Sequence, residues 1–147
     1  MTNHHLAQLN IAKLKFAMDD PALSEFVDNL ENINALADAS PGFVWRLQTD
    51  DGDATAIDFF GPDYLVNMSV WEDVESLHQY VYGSAHNQIL ARRKEWFNHM
   101  SEAYSVLWWV PAGTIPTLEQ AGARLENLKT TGPGSRAFTF KQVFDPE

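Results

Sequence analysis

The stretch from Leu65 to Met100, LVNMSVWEDVESLHQYVYGSAHNQILARRKEWFNHM, constrains the fold more than any other part of the chain. From Tyr64 to Trp71 the side chains alternate, with Val66, Met68 and Val70 on one face and Leu65, Asn67, Ser69 and Trp71 on the other. That is the period of a β-strand with one greasy and one mixed face. Glu72, Asp73 and Glu75 follow at once, where the positive end of a helix dipole favours them, so the strand runs into a helix without a connecting loop. Gly83 interrupts that helix and Ser84 offers an N-cap, which predicts a kink or a restart. In the second segment Ile89, Leu90, Trp96, Phe97 and Met100 form a stripe suited to packing on a sheet.

The remaining elements fall around this one. His5 to Lys15 alternates with Ala7, Leu9 and Ile11 on one face and Leu6, Gln8, Asn10 and Ala12 on the other, so a first strand repeats the greasy and mixed arrangement. Asp20 caps a helix with Pro21 at its first position, and apolar residues recur at helical spacing from Leu23 to Ala37 before Ser40-Pro41-Gly42 ends it. Gly42 to Gln48 reads as a second strand, followed by turn chemistry in Asp50-Asp51-Gly52-Asp53. Those aspartates lack the ligand order and closing glutamate of a calcium loop, which favours a solvated turn. Ala54 to Asp63 reads as a short irregular ribbon. Tyr104 to Val110 is a fourth strand, Thr117-Leu-Glu-Gln120 is a capping box opening a last helix, and Arg136 to Phe144 reads as a final strand at a sheet edge or on a partner chain.

A chain of 147 residues that is 45% hydrophobic matches one domain, residues 1–147, with a real core. No apolar run of about 18 residues and no basic-then-apolar leader is present, so a cytoplasmic protein with no membrane partner is expected. The absence of cysteine excludes disulfides, thiolate metal sites and a cysteine nucleophile. The net charge of −10 argues against nucleic acid, which needs a basic stripe. The one basic cluster, Arg92-Arg93-Lys94, reads either as a solvated helix face or as an anion contact at a pocket rim.

The order strand, helix, strand, strand, helix, strand is the split βαβ pattern of an α+β, ferredoxin-like sheet, with strands one and three at the centre and helices on one face. An extra C-terminal helix and strand follow. The mixed faces of the strands then form a partly apolar open surface, which predicts a homodimer. The SVWEDVESL junction, the S-x-H after it and the element order resemble the dimeric α/β-barrel superfamily of antibiotic-biosynthesis monooxygenase type. HLAQLNIAKLK, PGFVWRLQ, RRKEWF, LWWVPAG and AFTF together resemble the family known as domain of unknown function 3291. The resemblance spans nearly the whole chain and implies the fold, a dimeric barrel, but no reaction. The wider superfamily includes cofactor-free oxygenases, haem-degrading enzymes, haem peroxidases and proteins without known catalysis, so the cofactor stays unknown, between none and haem.

His86 is the candidate catalytic residue, for proton transfer or an axial haem contact, against a plain reading as a helix-start cap or surface group. Gln8, Asn10, Asn67 and Ser69 can orient a small-molecule ligand by hydrogen bonds in an otherwise apolar cavity, or form a buried polar network holding a dimer. Trp71 and Trp109 supply apolar area to a ligand, or to core and interface. Arg46 reads as an anion partner or a salt bridge. No metal site is predicted, since His4 and His5, His78 and His99 show no shared ligand spacing. The function expected is binding of a small, largely apolar molecule between sheet and helices, with an oxygenase-like reaction open. The alternative is a non-catalytic dimeric binding or stress-associated module.

Overall fold

The computed structural model describes residues 3–16, 20–48, 59–61, 64–83, 91–98 and 104–146. Its elements are β1 (His4–Lys13), a 3-10 turn (Pro21–Leu23), α1 (Ser24–Ala39), β2 (Phe43–Arg46), β3 (Tyr64–Trp71), α2 (Val74–Gly83), α3 (Arg93–Trp96), β4 (Ser105–Pro111) and α4 (Leu118–Thr131). The strands form one antiparallel sheet in the order β2-β3-β1-β4, so β1 and β3 are central, as the split βαβ pattern requires. The turn at Asp50 to Asp53 and the restart expected after Gly83, with Ser84, Ile89, Leu90 and Met100, lie outside the described residues.

Local chemistry accounts for the helix starts. Asp20 Oδ1 accepts from the Ala22 amide at 2.8 Å, and Pro21 opens the turn that leads into α1. The capping box of α4 is reciprocal: the Gln120 amide donates to Thr117 Oγ1 at 3.1 Å and the Thr117 amide donates to Gln120 Oε1 at 3.0 Å. Gly42, at φ 81°, brings the chain so close to Ser76 that a side chain there would strike the serine hydroxyl. Glycine is therefore required where β2 begins beneath α2.

The sheet has two faces, and the chain covers both. Ala7, Leu9, Ile11, Val66, Met68, Val70, Val106, Trp108 and Val110 pack against Ala121, Leu125 and Leu128 of α4. The mixed face lies under α1, α2 and α3. This corrects the expectation of an open mixed face: Leu6 and Trp71 are fully buried there, with Ala37 of α1 and Leu77 of α2 against them. An extra helix with its own apolar stripe covers the greasy face, and α1, α2 and α3 lie over the mixed one, where Asn67 stays exposed. The surface on which a dimer was expected is thus occupied from within the chain.

The C-terminal segment also differs from its expected form. Arg136 to Phe144 does not run as a strand; Phe138 alone bridges Leu107, through amide-to-carbonyl bonds of 2.7 and 2.9 Å, and the chain turns again by Thr139–Gln142. It still shields the outer edge of β4, where unpaired backbone would invite association. Arg92 settles its own alternatives: it bonds Glu95 at 2.7 Å and Glu25 across at the start of α1, and its guanidinium lies 4.9 Å from the centre of the Trp96 ring. These bonds hold both carboxyls below their ordinary range, although exposed pairs of this kind add little stability. Among the described residues no helix is long and apolar enough to cross a membrane.

Candidate functional site

On the helix-covered face the register of β1 and β3 sets Gln8 opposite Ser69 and Asn10 opposite Asn67. Side chains of opposed residues in neighbouring strands share a face, so these four form one polar band across the sheet centre. Gln8 Nε2 donates to Asn67 Oδ1 at 2.5 Å and to Ser69 Oγ at 2.8 Å. Trp71 Nε1 donates to the same Oγ at 2.8 Å. Gln8 and Ser69 are buried, 8% and 7% exposed, and this bonding offsets the cost of placing polar groups there.

Two apolar clusters flank the band. Leu6, Ala37, Trp71, Leu77, Leu107 and Phe138 lie on one side. Leu23, Phe26 and Trp96, with Leu14, Leu65 and Phe97 packed on them, lie on the other. Asn67 sits between the two and is exposed; on its own face Ser69 and Gln8 are buried, while Leu65 and Asn10 are half-buried. Solvent therefore reaches the sheet face at Asn67, beside the buried Gln8 and Ser69.

The wall beside the band is aromatic. Trp71 stacks on Tyr80 with centroids 5.1 Å apart and meets Phe43 edge-on at 5.4 Å. Tyr80 Oη donates to the Ile33 carbonyl at 3.2 Å, tying α2 to α1. Burial pushes the Tyr80 phenol up to about 12, with the Arg46 guanidinium pulling it down and the Asp38 carboxylate pushing it up. Folding therefore favours the neutral phenol: that stabilisation is whole below the unfolded value near 10 and is lost as pH rises through about 12. In alkaline denaturation Tyr80→Phe is expected to lack the stability loss that the wild type shows between those values. Superimposable pH profiles would count against a buried phenol.

A model of the family described as domain of unknown function 3291 matches residues 5–147. The chain belongs to that family. No curated protein matches the sequence. Solved structures of similar shape include NE2512, a protein of unknown function from Nitrosomonas europaea, at 15% identity and a TM-score of 0.48, covering 78% of this chain and 97% of that one. A second, from the same organism and provisionally assigned to the antibiotic biosynthesis monooxygenases, is 13% identical with a TM-score of 0.48, covering 80% and 96%. SnoaB, a cofactor-independent oxygenase from Streptomyces nogalater, is 18% identical with a TM-score of 0.45, covering 77% and 98%. At such identities the likeness concerns architecture alone.

In this DUF3291 chain the residues expected to form a site divide. Gln8, Asn67, Ser69 and Trp71 come together in one hydrogen-bonded group, and Asn10 lies beside Asn67. Arg46 is the register partner of Ser69 and forms a salt bridge from Nε to Asp38 Oδ1 at 2.8 Å. Trp109, in register with Leu6 on β4, packs against the Leu6 and Trp71 cluster and not on the polar band: its Nε1 donates to the Phe144 carbonyl at 2.8 Å, and it lines a cleft of 570 Å3 with His4, Asp73, Glu75 and Asp145. A second cleft, of 390 Å3, runs between Ser40, Pro41, Ser76, Gln79 and Tyr80. His86 lies outside the described residues, as does His99.

Tyr80 and Phe43 were not anticipated as wall residues. The spacing of Leu77, Tyr80 and Val81 on α2 carries the signal for Tyr80, and the pairing of Phe43 with Trp71 carries that for Phe43. Among the described residues no group of three histidines or carboxylates could hold a metal ion. The donors at the band are amide, hydroxyl and guanidinium groups. Such a set suits a hydrogen-bonded organic ligand better than the iron of a haem.

Proposed function

We propose that this protein binds a small, largely apolar molecule in the opening at Asn67, with its body between the two apolar clusters and its polar group at the band. The supporting observation is the exposure of Asn67 beside the buried Gln8 and Ser69, with its oxygen held by Gln8. Trp71 is fully buried and its N–H is bonded, so it backs the site by stacking on Tyr80. Sites for small molecules have this make-up: apolar walls and a few fixed polar groups.

The competing reading is a polar network that only holds sheet and helices together. Asn67→Leu separates the two through affinity and not through stability, because it also strands the donor of the buried Gln8 and so costs about 1 to 3 kcal/mol under either reading. With 1-indanone as the probe, the binding reading expects the folded variant to lose at least about tenfold in affinity, near 1.4 kcal/mol, in addition to its lower melting temperature. A lowered melting temperature with unchanged affinity would support the network alone. An oxygenase-like reaction would further need a group to take a proton from the bound molecule. His86 is the candidate the sequence offers for that role, so binding, and not turnover, is the function proposed.

A further inference from the structure

We propose that Gln8 is a positioning residue: it turns the Asn67 amide so that its N–H groups face the opening, and the site thereby selects molecules carrying an acceptor oxygen, a carbonyl above all. This rests on the binding reading given above and adds to it the chemical class of the ligand.

The donor and acceptor inventory carries the inference. An indole nitrogen can only donate, and Trp71 Nε1 donates to Ser69 Oγ. Gln8 Nε2 donates to the same oxygen, which fills both lone pairs of the hydroxyl and leaves its proton. The second hydrogen of Gln8 Nε2 goes to Asn67 Oδ1. The Asn67 oxygen is thus turned inward and engaged. Its Nδ2 hydrogen-bonds to no other described residue and belongs to the exposed member of the band. The acceptor left over, Gln8 Oε1, is on a side chain only 8% exposed. At the opening itself the band presents donors.

Arg46 reinforces this polarity, because it is in register with Ser69 and its side chain is 13% exposed while that of Asp38, which pairs with it, is 48% exposed. The positive partner is therefore the one nearer the face interior. Turning both amides over would keep the heavy atoms in place and present Asn67 Oδ1 outward, favouring a ligand N–H. The two arrangements predict opposite selectivity.

The experiment uses three bicyclic probes of one size: 1-indanone, which offers a carbonyl oxygen; indoline, which offers an N–H; and indane, which offers neither. Binding to the full chain is followed by NMR through the side-chain amide resonances of Asn67 and Gln8. The expected result is that 1-indanone binds at least about tenfold more tightly than indoline or indane. In Gln8→Glu the carboxylate can only accept, so Asn67 turns its nitrogen inward and the preference inverts towards indoline. In Gln8→Met, of similar length and without polar atoms, the preference disappears. Should either variant fail to fold, the wild-type ratio still decides. Equal affinities for 1-indanone and indoline, or a preference for indoline, with shifts at Asn67 would overturn the assignment of Gln8 and leave the binding reading standing. No shift at Asn67 with any probe would overturn both.

Discussion

Replacing Trp71 with alanine is expected to lower the stability of the protein by about 3 to 5 kcal/mol, the usual cost of removing a large aromatic side chain from a core. Trp71 is fully buried, ends β3, stacks on Tyr80 of α2 and meets Phe43 of β2, so one side chain joins three elements. Its removal also leaves Ser69 Oγ without the indole donor. Trp71→Phe keeps an aromatic surface and loses the hydrogen bond, so it should fall well short of the alanine cost. Denaturant unfolding of both variants measures this. An alanine variant within about 1 kcal/mol of wild type would mean that the cluster does not depend on this stack.

Phe138→Ala is expected to cost a similar amount, about 3 to 5 kcal/mol, for a different reason. Phe138 is fully buried, with Trp109 at 6.3 Å and Phe144 at 6.1 Å, and its backbone exchanges two hydrogen bonds with Leu107. It is the pin by which the C-terminal segment lies along β4. Losing it loosens that segment and bares the edge of β4, which invites pairing between chains. The variant should therefore also self-associate more than wild type in sedimentation, alongside its lower unfolding midpoint. Wild-type stability and sedimentation together would show that the segment merely lies on the sheet.

Much of this fold is legible in the sequence because it is written in local periodicity. The alternation in Tyr64 to Trp71 and His5 to Lys15 gives the strands, their faces and, through their shared mixed pattern, their neighbourhood, with β1 ending at Lys13; the pairing of Gln8 with Ser69 is not legible there, because a slip of two residues keeps the same faces. Thr117 and Gln120 announce α4 by hydrogen bonds only three residues apart. What alternation does not specify is which helix lands on which face. The mixed face looks open because Gln8, Asn10, Asn67 and Ser69 are polar, yet their polarity is met by bonds across the strands, and the apolar residues at either end attract α1, α2 and α3. The greasy face needs a cover too, and the stripe Ala121, Leu125 and Leu128 arrives fifty residues after β3.

The site divides the same way. Gln8, Asn67 and Ser69 were recognisable as inward polar groups on central strands, whereas the fate of Trp109 depends on a carbonyl at Phe144, 35 residues further on. No local pattern encodes such a contact. Tyr80 acquires its role only when α2 lies over Trp71.

A crystal structure of the protein soaked with 1-indanone tests the central claim most directly. The ring is expected between the two apolar clusters, with the carbonyl oxygen within hydrogen-bond reach of Asn67 Nδ2 and the Gln8, Ser69 and Trp71 bonds intact. Ligand found only in the cleft beside Trp109 and Asp145, or no ligand at Asn67 at saturating concentration, would contradict it.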